Sequence, residues 1–389
     1  MKKALFILLL AVATVATGCH EADAPGVPDS DLVTVRFALS GGIGAEVSPV
    51  SRAGAPVHLD EDVTVRVLAF RRRIVGSAPA AAADIENDTY AGEATYKVVK
   101  KQLETAEGED PAFDYVLVPC NVDADGVADL TSTAKPAELR LRADTYDFYA
   151  LTPAVEVDAA RKVSIGHGVD YAASCTPDIK LSAATNPASV DLVTLDRKCA
   201  QISFSVVRLA ENVKTVDIKS VTLSEISEEP LSAVLCQALA PGANTGAYTF
   251  KKEVFIPADE TEYNFRGADV VLPKTEAKFK LAMTVEFNDS GKDSEPEAEM
   301  PELAFEPGKQ YAFILKLKGD AFVLQFTVLD WDEVPEWEVP MGDWPHLVIT
   351  IGEWKIKGWE NGVGGYFSPD ITIGDWTPVD TWDVGIGAQ

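Results

Sequence analysis

The stretch "YAFILKLKGDAFVLQFTV", residues 311 to 328, decides the fold class. Large apolar residues occupy every second position on both sides of a Gly-Asp pair. They are Tyr311, Phe313, Leu315, Leu317, Leu324, Phe326 and Val328. A period of two places one face of a strand in a core, and a short Gly-Asp connection is typical of a hairpin. The stretch therefore predicts two antiparallel strands with one buried face.

The same alternation starts near residue 33 and continues through most of the chain. Its first instance is Val33, Val35, Phe37 and Leu39, and Gly, Pro, Asn and Asp interrupt the pattern every ten or so residues. Helical spacing is scarce, and only residues 96–107 are predicted to hold a short helix. These patterns predict an all-β chain of two tandem antiparallel β-sandwich domains with a C-terminal strand extension.

Charge and chain length limit the classes of function. The 389 residues carry a net charge of −27, so nucleic acid and anionic membrane surfaces would be repelled. The four histidines lie in separate segments, and the common nucleophile, zinc-protease, dinucleotide and phosphate-loop motifs are absent. We therefore predict that the protein is not an enzyme and uses no cofactor.

The N-terminus predicts export. Lys2 and Lys3 precede an apolar run from Ala4 to Ala16, which is too short to span a bilayer. Cys19 follows directly after Ala-Thr-Gly, and this arrangement resembles a bacterial lipoprotein signal in which Cys19 carries the lipid. A plain secretory signal is the alternative.

Four other cysteines remain after the signal, namely Cys120, Cys175, Cys199 and Cys236. An even number in an oxidising compartment permits three pairings, and the sequence does not choose among them. Buried thiols are the alternative.

Two polar motifs can each be interpreted either as a functional site or as an ordinary structural feature. In "NVDADGVAD", Asn121, Asp123, Asp125 and Asp129 have the spacing of calcium ligands, but Ser132 stands where a closing glutamate is expected. We therefore interpret the segment as a polar turn and predict no metal site. The run Arg71–Arg73 offers a protease site or a phosphate patch, and a solvated strand end is the simpler interpretation.

Four segments together resemble the fimbrillins of Bacteroidales, which are lipoprotein precursors of type V pili. The lipoprotein signal is followed by the strand "LVTVRFAL", and then by "SRAG" at residues 51–54. The other two are "LRLRADTYDFYALTP" (139–153) and "FEPGKQYAFILKLKGDAFVLQFTVLDWDE" (305–333). The resemblance covers roughly residues 1 to 333.

The resemblance implies transthyretin-like sandwiches and assembly by strand exchange. The lipid would carry the precursor to the outer membrane and its cell surface, where an arginine-specific protease would cut between Arg52 and Ala53. The removable strand (Val33, Val35, Phe37, Leu39) would then leave, and another pilus subunit would fill its groove. The implied segments are a signal peptide (1–18), a propeptide (19–52), two β-sandwiches (53–197 and 198–340) and a Trp-rich two-strand extension (341–389).

The C-terminal extension supplies the candidate donor strand. "ITIG" followed by an acid and Trp occurs at Ile349 and again 22 residues later at Ile371. The apolar faces of the two repeats are Leu347, Ile349 and Ile351, and Ile371 and Ile373. All seven tryptophans lie in the last 59 residues. Pairing of both repeats within their own domain is the alternative.

Three functional interpretations remain open. The first is a structural subunit of a cell-surface fimbria, and the second is a pilus tip or anchor subunit. The third is a surface lipoprotein that binds glycans, because exposed tryptophans stack on sugar rings. Host or bacterial surface glycans or proteins are the partners that these interpretations add.

Overall fold

A computed structural model describes residues 32–39, 42–44, 59–102, 113–208, 216–250, 255–257, 263–287, 292–294, 297–318 and 321–330. Every regular element in these ranges is a strand, so the all-β prediction is confirmed. Within the same ranges, no helix has the length and apolar character needed to cross a bilayer.

The strands fall into two groups along the chain. The first strand group is β1 (Leu32–Ala38), β2 (Ile43–Gly44), β3 (Thr64–Arg71), β4 (Ile74–Val75), β5 (Ala78–Pro79), β6 (Thr89–Gln102), β7 (Phe113–Pro119), β8 (Arg140–Arg142), β9 (Thr145–Thr152), β10 (Lys162–Ile165), β11 (Ala172–Lys180), β12 (Ala188–Asp191) and β13 (Leu195–Arg197). The second strand group is β14 (Ala200–Arg208), β15 (Val216–Ile226), β16 (Leu231–Val234), β17 (Gly246–Thr249), β18 (Phe255–Pro257), β19 (Tyr263–Val271), β20 (Lys274–Phe287), β21 (Lys292–Ser294), β22 (Glu297–Phe305), β23 (Lys309–Lys318) and β24 (Ala321–Asp330).

Ten strands of the first strand group form one sheet that curls around its own core, and β4 and β5 form a separate hairpin. The hydrogen-bonded order is β12-β1-β7-β6-β3-β9-β11-β13-β2, and β8 pairs with β1. β7, β6 and β3 separate Phe37 of β1 from Phe148 of β9 in this order, yet the two ring centroids are 5.2 Å apart. The sheet therefore folds over so that side chains from distant strands meet inside, as in a sandwich.

Ten strands of the second strand group form two five-stranded sheets. One has the order β18-β19-β14-β23-β24, and the other has the order β17-β15-β20-β21 with β22 paired to β20. Phe279 of β20 contacts Phe313 of β23 with ring centroids 6.5 Å apart, so the two sheets pack face to face. Phe305 adds a second edge-to-face contact with Phe279 at 5.2 Å.

A small ladder and a shared core join the two groups. β10 of the first group pairs antiparallel with β16 of the second, from Lys162↔Val234 to Ile165↔Leu231. Around this ladder, buried residues of both groups form one hydrophobic cluster that includes Phe70, Leu151 and Leu239. The Arg161 guanidinium lies 4.9 Å above the ring of Phe70. The contact between the groups thus has the composition of a core.

The opening hairpin is confirmed, and one helix prediction is wrong. β23 and β24 pair from Lys309↔Asp330 to Lys318↔Ala321, with only the Gly-Asp pair between them. Residues 96–102, however, lie in β6 rather than in a helix. Tyr96 and Val98 are buried while Lys97 between them bonds Asp62, so the period there is two.

The interpretation of Arg71–Arg73 as a solvated strand end is wrong for its central residue. Arg72 is buried, and its guanidinium lies 2.8 Å from Asp147, which is also fully buried. Arg72 also donates to the carbonyl oxygen of Ala80 at 3.0 Å. The hydrogen bond to Asp147 raises the pKa of Arg72. A paired and hydrogen-bonded charge can be buried where an isolated one could not.

Candidate functional site: the first strand and its groove

β1 is buried along one whole face. Val33, Val35, Phe37 and Leu39 are each at most 4% exposed, whereas Arg36 between them is exposed. The predicted apolar face therefore matches the buried face residue by residue. Leu32 is buried as well, although it stands on the alternate side of the strand.

β1 is an interior strand with hydrogen-bonded neighbours on both sides. Its second half runs parallel to β12, with Val35↔Ala188 through Ala38↔Asp191 in register. On the other side it runs antiparallel to β8 at Leu32–Thr34 and to β7 at Ala38. The Val35 amide also donates to the Leu139 carbonyl at 2.9 Å. Loss of β1 would therefore expose two strand edges rather than one.

Phe37 is the most specific packing contact of β1. Its ring meets the ring of Tyr96 at 5.4 Å and 75°, and that of Phe148 at 5.2 Å and 73°. Both are edge-to-face contacts, which are favourable for aromatic pairs.

The buried face made of Val33, Val35, Phe37 and Leu39 carries a large part of the stability. At about 1.5–3 kcal/mol for each large buried side chain, these residues contribute on the order of 6 to 12 kcal/mol. That sum is comparable to the whole free energy of unfolding of a typical domain, about 5–15 kcal/mol. A chain that lost β1 without replacement would be left with an unstable groove.

Asn186 holds the first half of β1 by two side-chain hydrogen bonds. Its Oδ1 accepts from the Thr34 amide at 3.1 Å, and its Nδ2 donates to the Leu32 carbonyl at 3.1 Å. The amide side chain thus takes the place that a strand backbone would have just before β12 begins. Sequence reasoning missed this residue, because it lies in a polar stretch 152 residues away from Thr34.

The segment from β1 to β2 also connects the two ends of the curled sheet. The Leu192 amide donates to the Ala38 carbonyl, and the Leu195 amide donates to the Gly42 carbonyl. Gly42 has a φ of 62°, a left-handed conformation that glycine adopts without strain. Removal of residues 32–44 would take away the strand partner of β12 near one end of the sheet and the end strand β2 at the other.

The remaining predicted site residues fall outside the described ranges. These are the lipidation residue, the processing site and the candidate donor faces, namely Cys19, Arg52, Ala53, Leu347, Ile349, Ile351, Ile371 and Ile373. Their roles stay predictions. The processing site does lie between Gly44 and Leu59 in the chain, and both of those residues are described.

The calcium-like segment uses its side chains to hold a turn. Asp123 Oδ1 accepts from the amides of Asp125 and Val127, and Asp129 Oδ1 accepts from the amide and hydroxyl of Thr131. Asn121 donates to the Ser132 hydroxyl at 3.0 Å. In the described part of the chain, no group of three or more His, Cys, Asp and Glu residues is arranged to hold a metal ion. This geometry favours the polar turn.

A partly buried histidine bonds the second strand group across the contact between the two groups. His167 Nδ1 accepts from the Leu272 amide at 3.1 Å, and Nε2 lies 2.6 Å from the Ser227 carbonyl. Both bonds can form only when the ring is neutral and Nε2 carries the proton. The ring stacks on Tyr248 at 4.4 Å, and burial lowers the pKa of His167.

Comparison with known families and structures identifies relatives of the chain. The model of a fimbrillin-like family matches residues 32–334, which is more than half of the chain. Comparison with curated proteins gives no significant match.

Three solved structures are similar to this chain. A candidate cell adhesion protein from Bacteroides fragilis superposes with a TM-score of 0.57 at 18% identity, over 78% of this chain and 99% of that one. A candidate cell adhesion protein from Bacteroides uniformis covers 78% of this chain and 100% of its own, with a TM-score of 0.47 at 13% identity. The tip fimbrial protein Mfa3 from Porphyromonas gingivalis covers 77% of this chain and 100% of its own, with a TM-score of 0.37 at 10% identity.

The first of these similarities supports the sandwich fold, and the family match covers β1, its groove and both strand groups. The chain therefore belongs to the fimbrillin-like family, a family of fimbrial subunits and not of enzymes.

Proposed function

We propose that the chain is built into a cell-surface fimbria by strand exchange and that the fimbria supports adhesion. The observation that carries the proposal is β1, whose fully buried apolar face lies between strands on both sides. Its departure would leave a groove that only another apolar strand of the same period can fill. The adhesion role is supported by the family and by the cell adhesion protein that shares the fold.

Cleavage after Arg52 is the proposed trigger. The segment "AEVSPVSRAGAPVH", residues 45–58, joins β2 to Leu59 and is rich in small residues and proline, where proteolysis concentrates. A cut there by an arginine-specific surface protease separates β1 from β3 in the chain. β1 is then held by non-covalent contacts alone and can dissociate.

The C-terminal tail is the proposed donor strand. The proposed β-sandwich domains are residues 53–197 and 198–340. β24 is at the end of its sheet in the described part of the chain, and residues 331–340 connect it to the tail. The period of Leu347, Ile349 and Ile351, or of Ile371 and Ile373, matches that of Val33 to Leu39. Before processing, the lipid on Cys19 anchors the precursor to the outer membrane.

A polymer-ladder experiment tests this route. Purified chain is cut with an arginine-specific protease, its new N-terminus is sequenced, and assembly is followed on a non-boiled gel. We expect a start at Ala53 and a ladder, and Arg52→Ala should prevent both.

The donor assignment needs a double variant. Ile349→Asp with Ile371→Asp should be processed and keep its cooperative melt, yet form no ladder, because a buried aspartate costs several kcal/mol. Glu353→Gln with Asp375→Asn is the matched control. It changes one acidic residue in each repeat and leaves both apolar faces intact, so it should assemble normally. An unchanged ladder for the double aspartate variant would exclude the tail as donor.

The seven tryptophans in the last 59 residues favour a second candidate, a glycan-binding surface lipoprotein. That protein would bind glycan as a monomer and would form no ladder after cleavage. A tip or anchor subunit would differ in another way, since an anchor keeps Cys19 and its first strand. The mature N-terminus on cells separates these cases from a fully processed subunit.

A further inference from the structure

Two cysteines from different strand groups meet at one cleft. Cys175 lies on β11 of the first group, and Cys236 follows β16 of the second. Both pack against the hydrophobic cluster that joins the groups. Both also line a cleft of about 520 Å³ between the groups, with Tyr149 and Leu235 among its other walls. Cys120 and Cys199 are described in the structure but do not line this cleft.

The sulfur of Cys236 lies against the backbone of its partner strand. Its Sγ–H donates to the Ser174 carbonyl at 3.0 Å. Since that carbonyl carbon is bonded to the amide nitrogen of Cys175, the Cys236 sulfur lies within one peptide unit of the Cys175 backbone. After burial, the nearby Cys175 is the next largest cause that raises the pKa of Cys236. The Cys236 sulfur therefore lies beside the strand segment that carries Cys175.

We propose that Cys175 and Cys236 form a disulfide that links the two strand groups. The reaction is thiol–disulfide exchange with a protein or small-molecule disulfide. One thiolate attacks the oxidant's disulfide, the resulting mixed disulfide is attacked by the other thiolate, and the oxidant leaves as two thiols. The two cysteines lose two electrons and two protons in total, and the oxidant gains them.

The environment of the pair is typical of a structural disulfide rather than a catalytic one. Burial raises the pKa of Cys175 to about 11 and also raises the pKa of Cys236 well above its usual range. Catalytic cysteines have lowered pKa values, which stabilise the reduced form and make the disulfide easy to reduce. Here the thiolates are not stabilised, so the linked form resists reduction once it has formed.

The link would complete a contact that is otherwise non-covalent. The β10–β16 ladder, the shared cluster and the His167 bonds already hold the groups together. Cys236 has a φ of 66°, so its turn is held in an uncommon left-handed conformation. A disulfide would hold this turn against β11 even when the non-covalent contacts between the two strand groups are broken.

Peptide mapping of the full chain tests the pairing. The chain is unfolded, refolded in a mixture of reduced and oxidised glutathione, alkylated and digested with trypsin without reductant. We expect peptide 163–180, which contains Cys175, joined to peptide 220–251, which contains Cys236. The joined species should be two hydrogen atoms lighter than the sum of the separate peptides. Alkylated peptides 199–208 and 102–140 should contain Cys199 and Cys120 as thiols.

A melting experiment measures the effect of the link. Reductant should lower the Tm of the oxidised chain by several degrees, and Cys175→Ser should remove this dependence. Cys120→Ser is the matched control and should keep it.

Recovery of Cys175 and Cys236 as separate alkylated peptides would overturn the proposal, and so would a joined peptide that contains Cys199. Refolding in vitro requires neither export nor polymerisation. Failure of the disulfide is therefore distinct from failure of the strand-exchange route.

Discussion

At the scale of single residues, the most informative side chain is Asn186. It completes the hydrogen bonding of β1 at Leu32 and Thr34, where β12 has not yet begun. Both bonds lie near the surface, so each is worth about 0.5–1.5 kcal/mol rather than the larger cost of a buried orphan group. We therefore expect Asn186 to affect the rate at which β1 dissociates more than the ability of the domain to fold.

The first prediction concerns this residue. In chain cut after Arg52, Asn186→Ala should speed the loss of the cut strand by about tenfold, since about 1.4 kcal/mol corresponds to a factor of ten. The rate is measured by size-exclusion chromatography of the released fragment over time. Asn87→Ala is the control, because the Asn87 side chain bonds Asp84 in a different loop. Equal rates for Asn186→Ala and wild type would show that the Asn186 hydrogen bonds do not retain β1.

The surroundings of His167 predict that the folding stability of the chain depends on pH. Burial lowers its folded-state pKa below the unfolded value of about 6.5, so folding favours the neutral ring. Its contribution is complete above about pH 6.5 and is lost as the pH falls through the folded-state pKa. The titratable groups that face the ring are Asp269, which raises its pKa, and Tyr248, which bonds Asp269.

The variant His167→Gln isolates this effect. A glutamine amide can accept from the Leu272 amide and donate to the Ser227 carbonyl, but it does not titrate. The Tm of wild type should fall more steeply than that of the variant between about pH 6.5 and 5. Parallel curves for the two proteins over this range would contradict the role of His167.

At the scale of elements, the sequence predicts what a strand buries better than what it pairs with. The alternation at Val33–Leu39 gives the buried face of β1 because side chains on a strand alternate strictly between its faces. It does not give the parallel pairing with β12, because that contact joins segments about 150 residues apart. The burial of Arg72 is missed for a related reason, since its partner Asp147 lies 75 residues away.

A peptide experiment tests β1 as an element. Synthetic "LVTVRFAL" should bind cut chain from which residues 1–52 have been removed, as measured by fluorescence anisotropy of a labelled peptide. Phe37→Ala in the peptide should weaken binding by about a hundredfold or more, because removal of a packed phenyl ring costs about 3–5 kcal/mol. Arg36→Ala should change the affinity little, since Arg36 is exposed. Equal losses of affinity for the two variant peptides would mean that the groove does not recognise the side chain at position 37.

At the scale of the whole molecule, the two strand groups are joined by a continuous set of contacts. The groups share a hydrophobic cluster and a ladder, so a load applied to one group passes to the other through packed side chains as well as through the backbone. This arrangement would suit the proposed polymer subunit, which holds a neighbouring subunit at each end. The proposed precursor adds a third attachment, the lipid on Cys19.

The last prediction separates anchoring from folding. Cys19→Ser should release the precursor from membranes and abolish lipid labelling, because the lipid is the proposed anchor. The released protein should melt like wild type, since Cys19 lies outside both strand groups. Fractionation of cells followed by immunoblotting gives the distribution. A variant that stays with the outer membrane in the absence of other pilus subunits would refute the lipoprotein assignment.

The mixed pairing of β1 has a consequence for any strand that replaces it. β12 runs parallel to β1, while β7 and β8 run antiparallel to it, so the two walls of the vacated slot point in opposite directions. An incoming strand therefore forms one parallel and one antiparallel ladder whichever way it enters. Backbone hydrogen bonds alone do not select its direction. The side chains of the incoming strand therefore determine its direction. The most important is the residue that packs between Tyr96 and Phe148, where Phe37 lies in this structure.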